Sequence, residues 1–187
     1  MPISRILVLA ATALLASSPL IAQDQPKRDD PRAREALQLF YSFCMNEAGD
    51  QTRALAVLGD GNAMAKRLTP ETMNAIQGQV GGVGWAIRSP SNAQLLLDYN
   101  PTGFCEVRIA EADEASVVMQ FHLTKNLIAV DSRGKLTAPE KRSENGATLT
   151  FQTFAYDLHG RKALIALTTS DKRVGEQQHL ITFGFVS

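Results

Sequence analysis

The sequence predicts an α+β fold: an antiparallel sheet of about six strands, with N-terminal helices and one central helix packed on it. Three observations carry that expectation. Ala33, Leu37, Phe40 and Cys44 recur at helical spacing, the stripe that one face of a helix buries. Beyond residue 83 the period falls to two, as in Val83, Trp85 and Ile87, the mark of strands. The links SPSN at 89–92, NPTG at 100–103 and LHGR at 158–161 are short and rich in turn formers, so the strands they join run antiparallel.

Taken in order, residues 1–22 have the three-part form of a secretory signal peptide. Arg5 and the amino terminus give a positive start, 6–16 is an apolar run, and SSPLIA at 17–22 is a small-residue cleavage region before Gln23. The run is too short, and too soon broken by Ser17, Ser18 and Pro19, for a stable spanning helix. Its removal leaves 165 residues, one domain by length, with a formal charge of −1. Such a chain has no basic excess to recruit nucleic acid. No later segment is apolar enough for a stable membrane span, and the cleavage region has no Cys to carry a lipid. The expected location is the periplasm or the exterior.

Residues 23–30 read as a flexible lead-in, and 31–187 as a single α+β domain. Asp30-Pro31 is a helix start, since Asp accepts orphan backbone donors and Pro fits the first helical position. Gly49 stops that helix; a second runs over 50–58 to the GDG at 59–61; Thr69-Pro70 starts a third through Met73 and Ile76. Glycines 78, 81, 82 and 84 end the helical grammar. Strands follow around Val83, Trp85 and Ile87, then Leu95, Leu97 and Tyr99, then Cys105, Val107 and Ile109. Residues 113–128 favour a helix over a strand through Val117, Phe121 and Ile128. The stretch 131–146 reads as a long polar loop, and 147–157, 162–169 and 178–186 as three closing strands.

Two cysteines survive cleavage, Cys44 and Cys105. Each shares its face with apolar residues, so a disulfide between them would pin the first helix across the sheet; the alternative is two buried free thiols. Closing a loop of about 60 residues stabilises by roughly 4 kcal/mol in the chain-entropy account. A single catalytic thiol is the third reading, less favoured because neither cysteine sits in a C-x-x-C pattern and no histidine is tied to either one by sequence.

Chemical motifs are sparse. His122, His159 and His179 form no metal-ligand spacing; they read as a core-boundary helix residue, an exposed turn residue and an inward, hydrogen-bonded residue. No G-x-S-x-G or S-x-x-K nucleophile is present. GQVGGVGW at 78–85 matches neither phosphate-cradling loop and reads as a connection, so no cofactor is expected. Asp98 and Glu106, with Arg88 and Arg108, read as a solvated cross-strand lattice. Trp85 falls inside by parity. The later strands carry apolar residues on both faces, so the second face needs a cover: helices, a dimer partner or a ligand. Phe104, Phe154, Tyr156 and Arg108 are the candidate interaction surface.

Through GWAIRSP at 84–90 and PTGFCEVRI at 101–109, the chain resembles small uncharacterised exported proteins of Gram-negative bacteria. The resemblance implies periplasmic residence and paired cysteines, and nothing about mechanism. The expected function is that of a periplasmic binding or accessory protein, its partner an envelope protein or a small apolar ligand, with a homodimer using the same surface. The alternatives are a secreted hydrolase with a loop-built site, and an inhibitor or immunity-type protein that blocks a partner with its sheet face.

Overall fold

A computed structural model describes residues 29–59, 61–129 and 134–186; the signal-peptide reading of 1–22 and most of the lead-in lie outside them. Helix α1 (Pro31–Phe40) begins as its sequence predicts, with the Asp30 carboxylate accepting the Arg32 backbone N–H at 2.9 Å. A π-helical turn, Tyr41–Met45, continues it and keeps Cys44 buried with Leu37 and Phe40. Helix α2 (Thr52–Val57) adds Ala54 to the core. Helix α3 (Pro70–Gln77) is capped by Thr69 and ends at Gly78, whose φ of 69° suits a residue without a side chain. Helix α4 (Glu114–Ala129) occupies the stretch where helix was favoured over strand, with Val117 and Phe121 buried.

The strands are β1 (Ala65–Arg67), β2 (Val83–Arg88), β3 (Gln94–Tyr99), β4 (Cys105–Ile109), β5 (Lys135–Leu136), β6 (Glu140–Glu144), β7 (Ala147–Leu158), β8 (Arg161–Ser170) and β9 (His179–Phe185). They form one nine-stranded sheet, not six, in the order β1-β2-β3-β4-β9-β8-β7, with β5 and β6 both paired to β7. Every pairing is antiparallel. The extra strands are β1, β5 and β6. The stretch read as a polar loop therefore contains two of them, and β6 exposes every residue, so no alternation marks it.

One face of the sheet, here the inner face, carries Trp85, Leu97, Val107, Ile181, Phe183 and Ile165 into a single apolar cluster with α1, the π turn and α4. The Cys44–Cys105 disulfide joins the π turn to β4 across this face, with Cα atoms 5.4 Å apart. Tyr99 adds a second tie, its hydroxyl donating to the Phe43 carbonyl at 2.9 Å.

The helices are not confined to that face. Helix α3 lies on the opposite, outer face, where Met73 packs on Gly84 so closely that a Cβ there would sit 2.6 Å from the sulfur. Among the described residues no helix is long and apolar enough to cross a membrane.

Candidate functional site

The outer face carries one row of directly opposed residues across six strands: Lys66, Ala86, Leu96, Arg108, Leu180 and Thr168. Antiparallel register sets this row, because each strand offers every second residue to the same face. Helix α3 rises on one side of the row, and the β8–β9 connection rises on the other. Between them lies an open groove of 680 Å³, lined mainly by Ile76, Ala86, Leu96, Arg108, Val174 and Gln177. That volume falls in the range of small-molecule sites, which combine apolar walls with a few fixed polar groups.

Arg108 is the fixed polar group. Its Nε donates to Asp98 Oδ2 at 3.0 Å, Nη1 donates to Gln177 Oε1 at 3.0 Å, and Nη2 donates to Glu106 Oε2. The Gln77 amide closes the cluster from α3, donating to Asp98 Oδ1 at 2.8 Å. Thr182 donates to Glu106 Oε1 at 3.4 Å. Arg108 thus joins β3, β4 and the β8–β9 connection, and its conformation is set before anything enters the groove.

Burial dominates the electrostatics. Asp98 is fully buried, and desolvation raises its pKa despite the Arg108 charge and the bonds from Gln77 and Arg108. Glu106 is raised for the same reason, then by the nearby Asp98 charge, with Arg108 opposing. One cation faces two carboxylates, and burial is the larger cause of both raised pKa values. The solvated lattice expected here is instead a partly buried triad. Arg88 takes no part in it.

The other side chains expected at the surface divide. Phe104 is half-buried, its ring lying over Gly184, where a Cβ would sit 2.1 Å from the ring. Phe154 and Tyr156 are core residues, not a surface. Their rings stack at 5.4 Å on the inner face, because the pairing Phe154↔Ile165 puts them on the buried side of β7. Burial drives the Tyr156 hydroxyl pKa up to about 12. Arg108 alone of the four lines the groove.

His179 is buried as its parity predicts. Ser170 N–H donates to Nδ1 at 3.4 Å, and Nε2 lies 3.0 Å from the Ala112 carbonyl, so Nε2 carries the proton. Desolvation lowers its pKa against the pull of Asp113, Glu114 and Asp30. His179 sits at the foot of the β8–β9 connection and holds that wall of the groove to the body. Among the described residues, no three His, Cys, Asp or Glu side chains converge on a metal-sized site.

Sequence reasoning missed Ile76, Ala86, Leu96, Val174 and Gln177 as groove residues. Leu96 carried a usable signal: it is an apolar residue on the face that alternation gives to solvent. Compared with protein-family models, curated proteins and solved structures, the chain finds no match in any of the three.

Proposed function

We propose that the protein is an exported binding protein that holds a small, largely apolar ligand in the outer-face groove. The observation that carries this reading is an apolar-walled space of 680 Å³ whose floor holds an arginine fixed by three partners. A ligand lying there removes Ile76, Leu96 and Val174 from water, at roughly 25 cal/mol per Å² of apolar surface covered. Arg108 has five N–H donors, and its protein partners engage three of them. Because the side chain is already ordered, binding loses little rotamer entropy there.

Export is supported by the form of residues 1–22 and by the disulfide, which suits an oxidising compartment. The two carboxylates do not favour hydrolysis: Asp98 has no exposed surface, and neither Asp98 nor Glu106 lines the groove.

The test is titration with N-phenyl-1-naphthylamine, an uncharged fluorophore that brightens in apolar surroundings. Saturable binding near one per chain is expected, weakened by about tenfold or more (~1.4 kcal/mol) in Leu96→Asp, with the unfolding midpoint little changed. Absence of saturable binding to the wild type, or unchanged binding by the variant, would sink the proposal.

A further inference from the structure

The groove does not end at Leu96. A second depression of 410 Å³ shares Ala86, Gln94 and Leu95 with it and runs to the sheet edge, where Met64, Lys66 and Arg88 line it. The register explains the continuity: Lys66 stands opposite Ala86, Ala86 opposite Leu96 and Leu96 opposite Arg108, while Arg88 stands opposite Gln94 on the same face. From Lys66 to Arg108 the row spans three strand spacings, about 14 Å, the length of an extended alkyl chain of about a dozen carbons.

The two ends of this row differ in charge. At the inner end Arg108 is bound by Asp98 and Glu106, and Arg173 is paired with Glu176 at 3.4 Å. At the edge, Lys66 and Arg88 are exposed and make no ion pair among the described residues. No Asp or Glu lines the edge depression. The outer face therefore presents an apolar track with two uncompensated cations at its open end. The complement of that surface is a chain with an anion at one end.

We infer that the ligand is a single-chain anionic amphiphile, such as a long-chain carboxylate, with its headgroup at Lys66 and Arg88 and its tail along Ala86 and Leu96 towards Arg108. This rests on the groove being a binding site, and it adds the ligand's charge and direction. The headgroup stays partly hydrated at the sheet edge, so its desolvation cost is small while the tail leaves water. Two cations within reach of one carboxylate supply the preference over an uncharged head.

The experiment is displacement of N-phenyl-1-naphthylamine by dodecanoate and by dodecanol, below their aggregation and solubility limits, at pH 7.5 and low salt. It uses the wild-type protein and the double variant Lys66→Gln, Arg88→Gln. Both positions are exposed, and circular dichroism checks that the variant is folded. Dodecanoate is expected to displace at about tenfold lower concentration than dodecanol, ~1.4 kcal/mol. The variant should lose that preference, dodecanoate and dodecanol then displacing the fluorophore at similar concentrations. Equal displacement by the two compounds overturns the headgroup assignment and leaves the binding reading standing. A preference that persists in the variant overturns it too, because the anion then lies elsewhere. If the fluorophore itself does not bind the wild type, the binding reading fails and takes this inference with it.

Discussion

Leu96 and Leu97 are consecutive residues of one strand, chemically identical, and they belong to different parts of the molecule. Leu97 points into the inner face and has no exposed surface, whereas Leu96 points outwards and is half-buried in the groove wall. The same division runs through the whole sheet. Its inner face is closed by α1, the π turn, α4 and a disulfide; its outer face has α3 at one end and an open track beyond it. The comparison teaches that the closed core and the open track are separated here by parity. Residues that face inwards pack into the core, and alternate residues such as Ala86 and Leu96 on the same strands line the open groove.

The largest expected effect breaks the inner face. Replacing both Cys44 and Cys105 with Ala frees a loop whose ends are 61 residues apart, and chemical denaturation should show a loss of about 4 kcal/mol. Binding by whatever variant remains folded should be unchanged, because neither cysteine lines the groove.

The neighbouring leucines sharpen the comparison directly. Leu97→Ala empties space in a closed core and should cost about 3 kcal/mol, whereas Leu96→Ala should cost under about 1 kcal/mol and weaken fluorophore binding. Equal costs from the two would mean that the outer face is closed as well.

Arg108 tests a place where the outer face is structural. Arg108→Gln leaves Asp98 and Glu106 without their cation, a loss of about 3 kcal/mol at pH 7. Both carboxyls already have raised pKa values through burial. A carboxyl whose folded pKa exceeds its unfolded value stabilises the fold below the unfolded pKa, and that contribution is lost as pH rises through the folded pKa. The variant's deficit should therefore shrink as pH falls towards the ordinary carboxylate range. Urea unfolding at several pH values measures it, and a deficit independent of pH would remove the carboxylates from the explanation.

The smallest effect concerns His179. Burial lowers its pKa below 6.5, so below that pH the unfolded chain takes up a proton that the native state refuses. Stability should fall with decreasing pH at up to ~1.4 kcal/mol per unit, and His179→Gln should flatten that slope. An identical slope in the variant would assign the acid sensitivity to other groups.

Much of the inner face was legible in the sequence, because period-two and helical stripes report burial against a core. The cysteine pair followed from two such stripes. The helix at 114–129 and the buried His179 agreed with the same logic. The outer face was not legible. Asp98 alternates as a solvent residue, and it is buried where Gln77 of α3 and Arg108 of β4 both bond its carboxylate, contacts that alternation along β3 does not report. Phe154 and Tyr156 show the converse: periodicity separated the two sides of β7 without saying which side met the core. Strand β6 was invisible because Glu140–Glu144 is held by backbone pairing to β7 and buries nothing.

The position of β9 bears on how the chain comes together in time. Strand β9 is hydrogen-bonded on one side to β4 and on the other to β8, and among the described residues it is the only strand joining the early ribbon β1–β4 to the late ribbon β5–β8. Until residues 179–185 emerge, the two ribbons share no ladder, and the inner face cannot close over its full width. The disulfide partners, by contrast, both lie in the first 105 residues, so oxidation of the early ribbon can precede arrival of the strand that unites the sheet. The order of the elements along the chain thus permits the covalent tie to form before the central ladder.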